Sequence, residues 1–192
     1  MSLHRQLSEA GAPVSADQPL YLLAEACVVP GLPGRLEFHG AHYQYLWHLH
    51  LHLRPGLENH APLLLQLSPG TDLDTWLASR QATFACSVVQ STLPLAELAS
   101  HLRRFGKVQQ GRQRYFLRLG DPASLHLYVA SLAQQPQALA DLFAHGRIRQ
   151  LYFQVPQTGL AQGVQPLFEQ TAQDCEQDGC LAWLAPSGEV AR

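Results

Sequence analysis

The sequence carries little charge and almost no lysine. Asp, Glu, Lys and Arg make up 15% of its 192 residues, against about 25% in a typical globular protein. Lys107 is the only lysine, so nearly all basic side chains are arginines, which suit fixed, bidentate contacts. The net charge of −2 gives no basic footprint for nucleic acid or for an anionic membrane. A surface so poor in charge favours a partner that covers part of it.

Long apolar runs and cofactor motifs are also missing. No run approaches the roughly 18 apolar residues that span a bilayer, and residues 1–18 lack the apolar core of a signal peptide. We therefore expect a cytoplasmic protein without a membrane span. There is no Walker A motif, no dinucleotide-binding glycine motif and no Gly-x-Ser-x-Gly elbow, so we expect no cofactor and no enzymatic activity. Neither Cys-x-x-Cys nor zinc-ribbon spacing links the cysteines, which we expect to be reduced thiols: Cys27, Cys86, Cys175 and Cys180.

The most informative stretch begins with a helix after Pro94. Leucines and alanine recur there at the i, i+3, i+4, i+7 spacing of one apolar stripe, which predicts a helix up to Phe105 with Leu98 and Leu102 as core anchors. The polar residues of this helix are predicted to lie together on its opposite face: Glu97, Ser100, His101 and Arg104. Residues four apart on a helix are neighbours, so Glu97 is within reach of His101, and Ser100 is within reach of Arg104.

A hairpin and a second helix start follow. Turn residues around Gly111 precede an alternating segment from Arg114 to Leu119, which predicts a strand. Asp121 followed by Pro122 is typical of a helix N-terminus, because the carboxylate accepts free backbone N–H groups and proline suits the first helical position. Arg118 lies three residues before Asp121, so an ion pair could clamp the strand end to the helix start.

Together these motifs resemble a known family. His101-Leu-Arg-Arg104-Phe, and Phe116-x-Arg118-x-x-Asp121-Pro with Ser91 upstream, are similar to the adaptor, or chaperone, domain of bacterial type VI secretion. The resemblance covers roughly residues 20–155, and Gly120 replaces the aromatic usual before Asp-Pro. It implies an effector-specific adaptor whose partners are a toxic effector and a spike protein. It also implies a structural or partner-facing polar cluster: Ser91, Glu97, His101, Arg104, Arg118 and Asp121.

The order of predicted elements defines the fold. Strands alternate with helices, which predicts an α/β fold with a mixed sheet flanked by helices and a small, mainly helical C-terminal extension. We predict a loose N-terminal arm over residues 1–18, the adaptor domain over 19–155, and a variable extension over 156–192 as a candidate effector-specificity lobe. A helix is expected near 166–176. Thr71 to Asp74 resembles a capping box that starts a helix carrying Trp76, a third core anchor.

A row of histidines supports an alternative function. His48, His50 and His52 alternate with leucines, so a strand there would project three imidazoles from one face, as in some zinc sites. The protein could then be a histidine-based metal-binding protein or hydrolase. No acidic ligand accompanies the row in a recognisable motif, and a metal site needs further groups that hold each ring. We therefore predict that the row holds no tight metal.

Overall fold

In the computed structural model, residues 2–14, 20–47, 54–167 and 176–184 are described. Their helices are α1 (Leu3–Glu9), α2 (Leu32–Phe38), α3 (Asp72–Ala78), α4 (Leu95–Arg103), α5 (Pro122–Ser131) and α6 (Pro136–Leu142). Their strands are β1 (Leu20–Glu25), β2 (His42–Tyr45), β3 (Pro62–Leu67), β4 (Cys86–Ser91), β5 (Lys107–Gln110), β6 (Gln113–Phe116), β7 (Ile148–Val155), β8 (Leu160–Pro166), β9 (Glu176–Asp178) and β10 (Leu181–Leu184).

An eight-stranded sheet in the order β2-β3-β1-β4-β7-β8-β10-β9 is the centre of the fold, and β5 and β6 form a separate hairpin. The predicted α/β fold with helices flanking a sheet is confirmed. The sheet was expected to be mixed, yet all its described strand pairs are antiparallel. The reason is that β1 lies between β3 and β4 and runs opposite to both. The crossover through α3 therefore creates no parallel pair.

Side chains of β1 alternate between two apolar cores, one on each face of the sheet. Leu20, Leu22 and Ala24 pack with residues of α1, α2 and α3. Tyr21 and Leu23 pack with residues of α4, α5 and α6. A strand covered on both faces reads as a continuous apolar run, as this one does.

The first residues form a docked helix rather than the predicted loose arm. Leu3 and Leu7 of α1 are fully buried in the core that α3 shares. The backbone N–H of His4 donates to the Asp74 carboxylate over 2.9 Å. Two leucines four residues apart were the available sign of this helix, and its docking depends on α3, far along the chain.

The start of α3 has the predicted N-cap at Thr71, while the second hydrogen bond of the predicted capping box is displaced by one residue, to Gly70. The Thr71 hydroxyl accepts the backbone N–H of Asp74 over 3.2 Å. The Asp74 carboxylate accepts the backbone N–H of Gly70 over 2.9 Å. Asp74 is fully buried, so one carboxylate satisfies a backbone donor in the first turn of α1 and another in the turn before α3.

The described part of the C-terminal extension forms strands of the sheet. β8 pairs with β7 on one side and with β10 on the other, and β9 lies at the sheet edge. Glutamine and glycine give β8 a weak strand pattern, so its strand conformation comes from pairing on both sides. Most of the helix predicted near 166–176 falls on residues 168–175, which lie outside the described residues.

Candidate functional site

His101 belongs to α4. Its side chain is buried against the end of α6 and is not displayed on a polar helix face. Its Nε2 lies 2.9 Å from the Leu142 carbonyl oxygen, and its Nδ1 lies 2.6 Å from Nη2 of Arg104. A guanidinium only donates, so Nδ1 accepts and Nε2–H donates to the carbonyl. Burial lowers the pKa of His101, and the charges of Arg104 and Arg147 lower it further, although the bond to Leu142 opposes them. The ring is therefore neutral, and its hydrogen bond connects α4 to α6.

The polar face predicted for α4 is wrong at His101, which turns inward. Glu97 is exposed and forms no ion pair within the described residues. The Arg104 guanidinium is hydrogen-bonded to the ring and the carbonyl of His101 rather than to Ser100. The apolar stripe is where it was expected, since Leu98 and Leu102 are both buried.

Arg103 contacts the edge strand β2, a role that the sequence patterns did not predict. Its Nη2 donates to the Gln44 side chain over 3.0 Å and to the Tyr45 carbonyl over 2.9 Å, which ties α4 to β2. Burial lowers the pKa of Arg103. The sequence held one indication of this contact: Arg103 directly follows Leu102, which belongs to the apolar stripe that faces the sheet.

Ser91 is buried where β4 ends, at a register shift of the pairing with β7. Its hydroxyl donates to the Arg147 carbonyl over 3.1 Å and accepts the Leu93 N–H over 3.0 Å. Both partners are backbone groups, so the hydroxyl connects the end of β4 to the turn that precedes β7.

That turn, residues 143–147, is strained. Ala144 and His145 have φ angles of 50° and 52°, a left-handed conformation that typically costs a non-glycine residue about 1–3 kcal/mol. His101 binds the carbonyl just before this turn, and Ser91 binds the carbonyl of Arg147 at its end. Two residues of the predicted polar cluster therefore hold the two ends of this turn.

Asp121 caps α5 as predicted. Its carboxylate accepts the Ala123 N–H over 3.1 Å and the Ser124 hydroxyl over 2.9 Å. Arg118 lies 3.4 Å away, but its side chain is 64% exposed. An ion pair this open to water contributes little to stability, so the cap is the stronger of the two roles.

Gly120 and Glu25 explain how the Asp121 region meets the sheet. A Cβ at Gly120 would lie 2.6 Å from backbone atoms of Ala24 and Glu25, so the chain passes directly against β1. This contact excludes an aromatic side chain at position 120.

Glu25, a site residue that the sequence patterns did not predict, is the one charged residue in the otherwise apolar β1. Burial raises the pKa of its carboxyl, while Arg118 and a backbone hydrogen bond from Gly120 lower it.

Trp76 is a half-buried residue at the rim of the core beside α1, α2 and α3. The guanidinium groups of Arg35 and Arg80 lie 5.6 Å and 5.9 Å from its ring centroid. These distances are typical of cation–π contacts. Trp76 therefore anchors α3 less deeply than Leu98 and Leu102 anchor α4.

The histidine row cannot be placed, because His48, His50 and His52 lie outside the described residues. Within the described residues, no three His, Cys, Asp or Glu side chains come close enough together to hold a metal ion. None of the helices in those same segments has the length and apolar character needed to cross a membrane.

The β5–β6 hairpin is displayed to solvent between the two motifs. Lys107, Gln109 and all four residues of β6 are exposed, with Phe116 at 70% and Tyr115 at 47%. Partly buried Phe105 and Leu117 pack against the core at its base. An isolated two-stranded hairpin is marginally stable, so this one depends on its base. We call residues 107–116 the exposed hairpin.

Comparison with known proteins returns one finding. A family model described as "Domain of unknown function (DUF4123)" matches residues 20–139, from the first residue of β1 into α6. No curated protein and no solved structure matches the chain. The matched region contains His101, Asp121 and the exposed hairpin between them. Since it covers more than half of the sequence, the chain belongs to the DUF4123 family.

Proposed function

We propose that the protein is an effector-specific adaptor of a bacterial type VI secretion system. In this role it binds a toxic effector in the cytoplasm and loads it onto the spike protein. The observation that carries the proposal is the arrangement of the motifs that resemble the adaptor domain. Ser91 and His101 form hydrogen bonds inside the scaffold, Asp121 caps a helix, and the segment between the motifs faces outward.

The chemistry of the polar cluster supports binding rather than turnover. Both ring nitrogens of His101 are engaged, the Ser91 hydroxyl is bonded to backbone groups, and the Asp121 carboxylate caps a helix. A general base needs a free lone pair close to the proton it removes. An adaptor needs only a rigid frame and an exposed contact surface, which this arrangement offers.

The C-terminal strands suit a role in partner choice. β8 and β10 continue the sheet beyond β7, and they lie after the residues that the family model matches. We propose that the extension over 156–192 contributes to effector specificity. A rigid attachment to the sheet would hold such a region at a fixed position relative to the exposed hairpin.

Co-expression tests the adaptor proposal. The full chain is produced together with the candidate effector encoded by the neighbouring gene, and the mixture is separated by size exclusion. We expect both proteins to co-elute, and the effector to be more soluble than when it is expressed alone. If no product of a neighbouring gene co-elutes or gains solubility, the adaptor function is wrong.

A further inference from the structure

Positive charge is concentrated around the exposed hairpin. Residues 98–120 contain no Asp or Glu, yet they hold six of the chain's thirteen Lys and Arg residues. All fifteen acidic residues lie outside this segment, in a protein whose net charge is −2. The segment is therefore a local cationic region on an otherwise acidic chain.

The strand register places two cations and an aromatic ring on one face of the hairpin. Lys107 is opposite Phe116, and Gln109 is opposite Arg114. Directly opposed residues share a face, as do alternate residues along one strand. The Lys107 ammonium lies 5.9 Å from the Phe116 ring centroid. We call the face formed by Lys107, Gln109, Arg114 and Phe116 the cationic face.

The hairpin cations have no acidic partner within the described residues. The ion pairs there involve Arg5, Arg118 and His145. Lys107, Arg112 and Arg114 form none, and all three are exposed. By contrast, Arg103 in the same acid-free segment donates two hydrogen bonds inward. The charges on the hairpin are thus available to a binding partner.

We infer that the cationic face docks an acidic segment of a partner protein, with Phe116 covered by an apolar side chain of that segment. This inference rests on the adaptor function proposed above and names the chemistry of the effector segment recognised. Arginine binds carboxylates through paired hydrogen bonds, and exposed aromatic residues are common energetic anchors of protein interfaces.

A protein segment fits this face better than a nucleic acid does. A long polyanion needs many phosphate contacts, and the cationic face offers two cations, with Arg112 at the adjoining turn. The fifteen acidic residues elsewhere on the chain would repel a polyanion that extended beyond the hairpin. A short acidic segment meets the local positive charge without that penalty.

Matched substitutions in the co-expression experiment test the inference. Arg114→Glu is compared with Arg149→Glu, an exposed charge reversal on β7, and Phe116→Ala with Leu127→Ala, an equally exposed apolar residue on α5. We expect each hairpin variant to reduce effector capture by roughly tenfold, while both control variants capture it like the wild type. If the wild type captures the effector and the hairpin variants capture it equally well, the inference is wrong and the adaptor function stands.

A peptide probe separates the inference from the adaptor function. Fluorescence anisotropy measures binding of the full chain to a labelled peptide of alternating glutamate and leucine, to its lysine counterpart, and to a single-stranded oligonucleotide of equal charge. We expect binding of the glutamate peptide alone, weakened by salt and by Arg114→Glu. Such binding without any captured neighbour would support recognition of an acidic segment by the cationic face and would overturn the adaptor function. Absence of peptide binding, or equal binding of the oligonucleotide, would overturn the inference.

Discussion

Two parts of one short segment behave in opposite ways. The ends of the segment, His101 and Asp121, are tied into the scaffold by hydrogen bonds to α6 and α5. The exposed hairpin between them is a separate two-stranded sheet whose described side chains face water, with Phe105 and Leu117 packed at its base. Side chains of the same types therefore have different roles, since Arg103 is held by β2 whereas Arg114 is exposed and forms no ion pair within the described residues. A motif in this family need not be a binding surface, because its polar residues can instead position one.

The largest expected effect comes from Gly120→Ala. The added Cβ would lie 2.6 Å from the β1 backbone. Backbone atoms cannot rotate away as a flexible side chain can, so this overpacked contact should lower the free energy of unfolding by about 3 kcal/mol or more. Gly34→Ala is the control, because its Cβ meets nothing within 4 Å and alanine favours the helix by about 0.5–1 kcal/mol. Urea unfolding measures both. Equal effects would mean that the close approach to β1 is unimportant.

His101→Ala should be the next most harmful substitution. It leaves the Leu142 carbonyl and the Arg104 guanidinium without their partner and opens a cavity, which should cost about 2–3 kcal/mol. His42→Ala, at an exposed position, should change stability by less than about 0.5 kcal/mol. A denaturation midpoint for His101→Ala equal to that of His42→Ala would contradict the tie between α4 and α6.

The buried imidazole also predicts a pH dependence. The pKa of folded His101 lies below its ordinary value of 6.5, so below that pH the unfolded chain binds the proton more readily. The contribution of His101 is therefore complete above pH 6.5 and is lost as the pH falls through the lowered pKa. Unfolding of the wild type and of His101→Gln is compared between about pH 7.5 and about pH 5.5. The wild type should lose more stability on acidification, and parallel curves would show that the ring is not held neutral.

A smaller effect is expected at Asp121. Asp121→Ala removes the cap of α5 and should cost about 1 kcal/mol, whereas Asp121→Asn keeps a capping side chain and should stay near the wild type. The exposed pair with Arg118 adds little. Thermal denaturation distinguishes the two roles, since an equal loss in both variants would mean that the ion pair, not the cap, is the important contact.

The smallest effect on stability should come from the exposed hairpin. Arg114→Ala and Phe116→Ala remove side chains that face water, so each should change the free energy of unfolding by less than about 0.5 kcal/mol. Chemical denaturation of the isolated protein checks this. A loss comparable to that of His101→Ala would mean that the hairpin supports the fold, and the contrast between the two regions would disappear.

Local patterns predicted most of the scaffold. The helix starts at Thr71 and Asp121 have the expected caps, and Leu98 and Leu102 are buried as the apolar stripe of α4 predicted. The failures depend on distant contacts. The position of His101 beside the apolar stripe does not reveal that α6 covers it, and nothing local to Gly120 shows the approach of β1. Likewise β8 is a strand because of its two neighbours.

Hydrogen exchange of the isolated protein and of its complex with the co-purified effector tests the central claim most directly. The backbone amides of the exposed hairpin should exchange rapidly in the isolated protein, because β5 and β6 form a two-stranded sheet separate from the main one, and should become protected in the complex. Amides of α4 and α5 around His101 and Asp121 should be protected in both states. Unchanged exchange in the hairpin, with new protection on another surface, would contradict the division between a supporting motif and a displayed binding hairpin.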